Sequence, residues 1–588
     1  MSVRMRGAQG TVPVPAHQPV GVWLRESPTG LAVLAVVIGA GAGLGAVVFR
    51  WLITAFTRLF SGHADYAAAG GETHPWFPVL GPWFLLIVPV LAGLIYGPLV
   101  YKFAPEARGH GVPEVMYAVA ERGGRIPAQV TVVKALASAL TIGSGGSVGR
   151  EGPIVQIGSA LGSTFGRWFR LPEGRLRILV ACGAAGGIAA TFNAPMAGPF
   201  FAMELILRDF AVESFGAVVL SSVTASVAGR AVFGDVAFLA LPPFTLRNPI
   251  EYLLFIVLGV VVGACGVLFT KVLYWIEDAC DWAWRGPEWL RPAVGGIVLG
   301  GLLLLLPQMY GVGYPVLQNA VEGKYVFGFL LLLLIGKIIA TSLTIGIGGS
   351  GGVFAPSLFI GAMGGTAFGI AVHTWLPAAT ASPGVYGLIG MGAAFAGSAR
   401  APITAVIILF ELTGQYTIIL PLMTAIVIAT LTSKALLGED TIYTLKLRRR
   451  GVDIGNHPET RRLAGTTVAQ VLEPLPEALT ADTPLPPAAR ALALSGHGIL
   501  PVIGGDGRYH GCVTARAVAE ALTGERDETV GSLAELPPLV TAESRLTDAL
   551  DALTQAAGTG LPVLDENAGT LTGWITHQGI LTALHPAA

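Results

Sequence analysis

Residues 143–153 read GSGGSVGREGP and lie among long apolar segments. Glycine lets backbone N–H groups approach a ligand closely, and successive exposed N–H groups or a helix N-terminus bind anions. Pro153 suits the first turn of a helix. The stretch therefore predicts a loop over 145–152 that enters a helix and directs amides at an anion. The carboxylate of Glu151 would compete with that anion for the same place.

A glycine-rich helix-packing face is the alternative interpretation of this stretch. It leaves the adjacent charges of Arg150 and Glu151 unexplained, because charge is costly within apolar segments and is usually functional there.

The same stretch occurs twice. Residues 145–153 align without gaps on residues 348–356, which read GGSGGVFAP, and the alignment continues from 204–205 to 411–412. In transporters, duplicated halves with broken helices at matching places predict a substrate site at the repeat interface near the membrane midplane. Phe354 stands where the first copy has Glu151, so both loops offer amides but only one carries a carboxylate.

The composition is that of a membrane protein. Of 588 residues, 53% are hydrophobic and 12% are charged, with 79 glycines. Apolar runs long enough to span a bilayer recur through the first 440 residues, and this pattern predicts a polytopic α-helical protein with broken or re-entrant helices. The net charge of −1 gives no argument for nucleic-acid binding. The four cysteines show no metal-ligand spacing, so we expect free thiols, no metal site and no cofactor.

Charge near the apolar runs predicts the topology. Residues 1 to about 19 are polar and have no apolar core typical of a signal peptide. Basic residues of the N-terminal segment 1–28 precede the first apolar run at 31–52. Further basic clusters lie at 167–177 and 446–450. The positive-inside rule places all of these in the cytoplasm. We expect a multi-pass protein of the plasma or inner membrane with both termini cytoplasmic.

Four ionisable residues in the apolar region each have two interpretations. His110 lies in a GHGVP loop predicted to open a helix, and it is either an N–H donor to an anion or an ordinary polar loop histidine. Lys134 either compensates Glu151 or extends to an interface. Glu204 and Glu411 are either functional or carboxylates at a helix end.

Hydropathy drops after residue 437. Residues 451–466 are polar and predict a linker, and residues 467–588 hold two similar units of about sixty residues. In each unit, short β runs alternate with alanine-rich helical stretches, which predicts a small α/β pair. The expected transmembrane domain covers 29–450, with repeats over about 29–246 and 247–450.

Together these stretches resemble the CLC family of chloride channels and chloride–proton exchangers over about 31–450. The resemblance depends on GREGP at 149–153 and GGVFAP at 351–356. It implies an inverted repeat of about eighteen membrane helices per subunit, in a homodimer with one pore per subunit. The tail, 467–588, resembles a tandem pair of CBS domains.

The resemblance also assigns roles by position. Glu151 matches the gating glutamate, whose carboxylate occupies the outer anion site until it swings away or is protonated. Val353 and Phe354 match residues whose amides face the anion, and Tyr443 matches a tyrosine whose phenol points at the central anion. The full set of anion-binding candidates is His110, Gly149, Arg150, Val353, Phe354 and Tyr443. The proton-pathway candidates are Glu151 and Glu204.

Three departures from the family pattern leave questions open. His110 stands where chloride-selective members usually have serine and nitrate-preferring members proline, which leaves the preferred anion open. Leu205 replaces the inner proton-accepting glutamate of many exchangers, so channel-like uniport and proton-coupled exchange both remain. Ala517 and Gly579 stand where nucleotide-binding CBS units often have aspartate, which argues against ATP binding.

The sequence thus predicts transport of chloride or a related inorganic anion through a glutamate-gated pore, by a uniporter or an anion/proton antiporter. A CBS-regulated divalent-cation transporter is the alternative, but only scattered acidic residues lie within the apolar runs. A fluoride-specific exchanger is disfavoured because the GREGP run is of the chloride type. An intramembrane hydrolase is disfavoured because the HExxH metal pair that it could use is not found, so we do not expect an enzyme.

Overall fold

The computed structural model describes residues 20–68, 71–234, 248–454, 463, 465–524, 528–556, 559–565 and 569–584. It divides into two compact units, Met1–Asp453 and Ile454–Ala588. The division falls inside the polar stretch 451–466.

The first unit is helical. Its described residues form α1 Val20–Glu26, α2 Pro28–Ser61, α3 Phe84–Phe103, α4 Val112–Glu121, α5 Gln129–Gly143, α6 Glu151–Trp168, α7 Glu173–Phe192, α8 Ala197–Phe201, α9 Val212–Phe233, α10 Glu251–Ala283, α11 Arg291–Leu305, α12 Tyr314–Val321, α13 Phe327–Gly346, α14 Phe354–Trp375, α15 Pro383–Ala399, α16 Pro402–Thr413, α17 Ile419–Leu437 and α18 Thr444–Arg449. A π-helical turn, Ala202–Leu207, continues α8.

Within the described part of the chain, nine helices are long and apolar enough to cross a membrane. Shorter apolar helices, among them Gln129–Gly143 and Pro402–Thr413, lie between them. The predicted polytopic α-helical membrane fold is therefore confirmed, and its short helices are the broken segments expected from the glycine and proline content.

The internal duplication is visible as matched helix breaks. Asn193 ends α7 and Arg400 ends α15, each with a left-handed backbone at φ 57° and 51°. Each is followed by an Ala-Pro pair, at 194–195 and 401–402. Because the residue before proline avoids the right-handed helical region, the chain turns at each of these two places before α8 and α16 begin.

Glycines also pack helices together, as the alternative interpretation proposed, but they do so in the helix bodies. A Cβ on Gly158 of α6 would overlap the carbonyl of Gly183 in α7, and a Cβ on Gly361 of α14 would overlap the carbonyl of Gly390 in α15. The small side chains let the paired helices approach closely. Packing and site formation therefore use different glycines of the same duplicated segment.

The second unit holds two three-stranded sheets of mixed direction. Strand β1 pairs parallel with β2 and β2 antiparallel with β3, and β4, β5 and β6 repeat this pattern. The elements are β1 Leu479–Thr480, α19 Leu485–Leu494, β2 Ile499–Ile503, β3 Tyr509–Thr514, α20 Ala515–Thr523, β4 Val540–Thr541, α21 Leu546–Gln555, β5 Gly560–Leu564, β6 Leu571–Thr576 and α22 His577–Leu584. The expected small α/β pair is present. Trp574 of the second sheet is buried against Ile499 and Cys512 of the first.

Candidate functional site

The two duplicated loops meet directly. The amide of Gly149 donates to the carbonyl of Gly352 at 2.7 Å, and the amide of Gly352 donates to the carbonyl of Gly149 at 2.6 Å. This antiparallel bridge brings the first residues of α6 and α14 to one place. A Cβ on Gly352 would lie 2.6 Å from the amide nitrogen of Gly152, so the close approach requires glycine. The Gly149 amide is committed to this bridge and does not face an anion.

The loop before α4 joins the same centre. The amide of Gly109 donates to Gly349 at 3.2 Å, and the amide of Gly351 donates to Gly109 at 3.3 Å. The sequence prediction of a loop opening a helix is confirmed at both positions, since α4 begins at Val112 and α6 at Glu151. Three helix N-termini, each with amides that lack intrahelical acceptors, therefore start around one point.

Glu151 lies at this junction and is 1% exposed. Its Oε1 accepts a hydrogen bond from the hydroxyl of Tyr314 at 2.5 Å. Its Oε2 is buried and has no hydrogen-bond partner among the described residues. A Cβ on Gly149 would overlap this oxygen and would lie 3.3 Å from the amide nitrogen of Ala355. The carboxylate thus folds back over the glycine loop, beside the start of α14.

Tyr314 was not among the residues singled out from the sequence. It is the first residue of α12, and the GVGYP run at 311–315 matches the GHGVP run at 109–113 in the other repeat. That match was the signal that could have found it.

Arg150 does not point at the loop junction. Its guanidinium lies over the ring of Tyr314, 5.2 Å from the centroid, and donates to the carbonyl of Thr191 at 3.5 Å. Both Arg150 and Tyr314 line a cavity of about 550 Å³, here called the Arg150 cavity. The other charged residues that line it are Arg50, Asp65 and Arg230. Arg150 therefore lines the cavity with its charge, and it also lies close enough to interact electrostatically with Glu151.

His110 is fully buried, and neither ring nitrogen has a hydrogen-bond partner among the described residues. Its ring stands edge-on to the ring of Tyr274, with 6.3 Å between centroids. The hydroxyl of Tyr274 donates to the carbonyl of Ile442 at 2.7 Å, immediately before Tyr443. Tyr274, which the sequence did not reveal, thus links the segments that carry His110 and Tyr443.

Tyr443 is 1% exposed and comes just before α18.

Phe354 packs its ring between those of Phe192 and Phe395, with ring centroids 5.4 and 4.5 Å apart. Val353 and Phe354 open α14, where the first amides have no carbonyl acceptor in the helix. The side chain of Phe354 is thereby fixed in an aromatic cluster while its backbone faces the junction.

A second cavity, of about 850 Å³, is lined by Gly109 and Lys446 and is here called the Lys446 cavity. Its wall carries five basic side chains (Arg108, Arg291, Lys446, Arg449, Arg450) and four acidic ones (Glu277, Asp278, Asp281, Glu288). Tyr314 lines the Arg150 cavity and contacts Glu151, whereas Gly109 lines the Lys446 cavity and precedes His110. The candidate residues therefore lie between two cavities.

Lys134 meets neither expectation. It is fully buried, and its Nζ donates to the carbonyls of Ala107 and Gly109 at 2.8 and 2.7 Å. It neither pairs with Glu151 nor extends to an interface, because the turn before α4 places two carbonyl oxygens in its reach. It fastens the loop that carries His110.

Lys337 is the repeat counterpart of Lys134, at an offset of 203 in the internal alignment, and it was also missed. It is fully buried and donates to Ser147 Oγ at 2.9 Å and to the carbonyls of Gly311 and Val312 at 3.2 and 3.0 Å. It thereby ties the Glu151 loop to the turn that carries Tyr314.

Glu204 and Glu411 each reach across the duplication. Glu204 accepts the amides of Ile403 and Thr404 at 3.1 and 2.8 Å, and the Thr404 hydroxyl at 2.7 Å. Glu411 accepts the amides of Met196 and Ala197 at 2.8 and 2.7 Å. Each carboxylate caps the first turn of a helix in the other half, where the helix dipole favours negative charge. Leu205 is buried next to this pair.

In the second unit, Ala517 and Gly579 occupy equivalent positions in the two repeats. Thr514 accepts from the amide of Ala517 at 3.2 Å, and Thr576 accepts from the amide of Gly579 at 3.0 Å. The hydroxyl of Thr576 donates to Glu473 Oε1 at 2.9 Å. A Cβ on Gly579 would lie 2.5 Å from that oxygen, so the protein's own carboxylate occupies this position.

A family profile described as "Voltage gated chloride channel" matches residues 92–434. The chain is 33% identical over 437 residues to "Putative chloride channel protein ClcB-like" of Ralstonia nicotianae, covering 73% of this chain and 98% of that protein. It is 38% identical over 380 residues to "H(+)/Cl(-) exchange transporter ClcA" of Vibrio parahaemolyticus, covering 63% and 81%.

Two solved structures are similar in fold. A slow cyanobacterial Cl−/H+ antiporter superposes with a TM-score of 0.63 at 27% identity, covering 72% of this chain and 99% of that one. A eukaryotic CLC transporter superposes with a TM-score of 0.61 at 21% identity, covering 93% and 97%.

Proposed function

The chain belongs to the CLC family of voltage-gated chloride channels and transporters, and from this we propose that it carries chloride across the membrane through a pathway gated by Glu151. Relatives that are 38% identical are named H+/Cl− exchange transporters, so we propose exchange with protons as the mode. Leu205 stands where many exchangers carry a proton-accepting glutamate, so we propose that the coupling is loose.

The observation that carries this proposal is the position of the Glu151 carboxylate. It is buried at the meeting point of two amide loops, between the Arg150 and Lys446 cavities, and its Oε2 has no hydrogen-bond partner among the described residues. A carboxylate oxygen in such a place resembles the chloride that the amides would otherwise hold. A fixed anion there blocks the pathway until it is protonated or moves.

Chloride needs donors that replace its hydration without trapping it, because conduction requires binding that is strong enough to enter and weak enough to leave. The amides of Val353 and Phe354 supply partial charges at the start of α14. His110 supplies a buried imidazole with no hydrogen-bond partner among the described residues, and a buried polar group without a partner is costly unless a ligand satisfies it. The phenol of Tyr443 supplies a further donor. It follows Ile442, whose carbonyl accepts from Tyr274, and the ring of Tyr274 packs against His110.

Arg150 acts at the Arg150 cavity, where it raises the local concentration of anions. Glu151 is the proposed proton carrier on this side. Glu204, the other proton-pathway candidate, is engaged by two amides and a hydroxyl, and its capping role competes with that proposal.

The assembly around this site is proposed in the same terms. We propose a homodimer with both termini in the cytoplasm, a transmembrane domain over 29–450 and a tandem CBS pair over 467–588. The repeated β-α-β-β-α order of the second unit supports the CBS assignment. The family membership does not favour the divalent-cation transporter.

Simultaneous anion and proton flux in proteoliposomes tests the function. With a chloride gradient imposed and a pH electrode outside, we expect chloride movement to drive protons against their gradient at a ratio that varies with conditions. Chloride flux with no proton movement would establish a uniporter. Absence of chloride flux, with flux of nitrate in its place, would overturn the proposed substrate and direct attention to His110.

A further inference from the structure

Tyr314 is placed rigidly against the gate. It opens α12, follows Gly313, whose backbone is left-handed at φ 86°, and precedes Pro315, whose ring fixes its own backbone. Its hydroxyl lies 2.5 Å from Glu151 Oε1. The guanidinium of Arg150 covers its ring. The phenol therefore has little freedom to turn away from the carboxylate while the loop stays in place.

The same side chain separates the gate from the Arg150 cavity. Tyr314 lines that cavity with its half-buried ring, whereas Glu151 is 1% exposed and does not line it. Its repeat counterpart, Val112 at the start of α4, has no hydroxyl. The duplication therefore supplies a hydrogen-bond donor at this position in only one half, the half that faces the carboxylate.

We propose that Tyr314 is a positioning residue that latches the Glu151 carboxylate across the anion pathway, and that the hydrogen bond between them must break before an anion passes. This proposal rests on the proposed function of Glu151 as a gate. The hydroxyl of Tyr314 is thus the donor that holds the closed state, and this residue lies outside the loop that carries Glu151.

The other charged or titratable groups near the carboxylate act at longer range. Arg150, Lys337 and Tyr443 come close enough to interact electrostatically with Glu151. The ammonium group of Lys337 donates hydrogen bonds to Ser147 and to two backbone carbonyls. Tyr314 is the side chain whose hydrogen bond to the carboxylate is seen in the described structure, so its hydroxyl can be removed without removing a charge.

Tyr314→Phe tests the latch in the full-length protein in proteoliposomes. The variant keeps the ring beside Arg150 and removes the hydroxyl, including its hydrogen bond to Glu151. A hydrogen bond to a charged group corresponds to about a tenfold change in equilibrium, so we expect chloride flux at neutral pH to rise about tenfold. Because the lost bond favoured the ionised carboxylate, the pH midpoint of acid activation should move up by about one unit. Combined with Glu151→Gln, the change should have little further effect.

The matched control is Tyr310→Phe. Tyr310 lines the same cavity, but its hydroxyl donates to the carbonyl of Gly143 at 2.6 Å, so flux and pH midpoint should stay near those of the wild type. Tyr314→Leu is the second variant if the phenylalanine variant does not fold, and it should raise flux at least as much.

The latch is overturned if Tyr314→Phe behaves like the wild type while Glu151→Gln alters flux, and the gate then stands without it. Chloride flux that is the same in Glu151→Gln as in the wild type would instead overturn the proposed gate itself.

Discussion

Glu204 and Glu411 exchange caps across the internal duplication: each carboxylate accepts two backbone amides at the start of the helix that belongs to the other half. The arrangement joins α8 with α16 at both ends of the pair. The two residues are equivalent by the repeat, but only Glu204 is also a proton-pathway candidate. They therefore form a matched pair for mutagenesis.

Glu204→Gln and Glu411→Gln should each lower stability by about 1–2 kcal/mol, since the amide replaces one acceptor oxygen with a donor that faces backbone N–H groups. Thermal unfolding in detergent measures this effect. We expect proton movement to remain close to the wild type in both variants. Loss of proton movement in Glu204→Gln alone, with Glu411→Gln unaffected, would support Glu204 as a member of the proton pathway.

Glu151→Gln should raise chloride flux at neutral pH and remove most of its pH dependence. The change keeps the size of the side chain and removes the charge that occupies the anion position. Chloride efflux from proteoliposomes over a range of pH gives the measurement, with the exposed Glu213→Gln on α9 as control. Unchanged flux and an unchanged pH profile would remove Glu151 from the gating role.

His110→Leu should weaken chloride binding by about tenfold, because the variant removes a buried donor that has no hydrogen-bond partner in the described part of the chain. Isothermal titration with chloride and with nitrate measures both affinities and their ratio. His373→Leu is the control, since its ring nitrogen is already bonded to Thr380 at 2.9 Å. Equal affinities in His110→Leu and the wild type would support the alternative interpretation of His110 as an ordinary polar loop histidine.

Lys134→Met and Lys337→Met should each destabilise the protein by about 3 kcal/mol, because each removes a buried ammonium group that donates to two backbone carbonyl oxygens. Thermal unfolding compares them with Lys271→Met, an exposed lysine on α10. Unfolding temperatures equal to that of the control would mean that the buried ammonium groups do not hold the loops.

Millimolar ATP should not shift the unfolding temperature of the full-length protein. Ala517 and Gly579 lack the carboxylate that nucleotide-binding units often carry, and the side chain of Glu473, held by Thr576, already fills the space beside Gly579. A ligand at one hundred times its dissociation constant would add about 2.7 kcal/mol of stability. A rise of several degrees with ATP, absent with chloride alone, would show that the second unit binds nucleotide.

The sequence alone determined the elements whose causes are local. Proline and glycine spacing predicted that loops open helices near 112 and 151, and the repeat predicted that 348–356 would do the same. Apolar length predicted the polytopic helical fold, and the short apolar runs within 467–588 predicted the β-strands of the α/β pair. These inferences needed only backbone preferences and hydropathy, which act within a few residues.

The tertiary structure decided which distant groups meet. Tyr314 and Glu151 are 163 positions apart, Lys337 and Ser147 are 190 apart, and Met196 and Glu411 are 215 apart. Sequence reasoning assigned Lys134 to a charge or an interface because it could not see that carbonyl oxygens would surround it. A buried donor takes whichever acceptor the packing brings within reach, and that choice depends on how the two halves fold against each other.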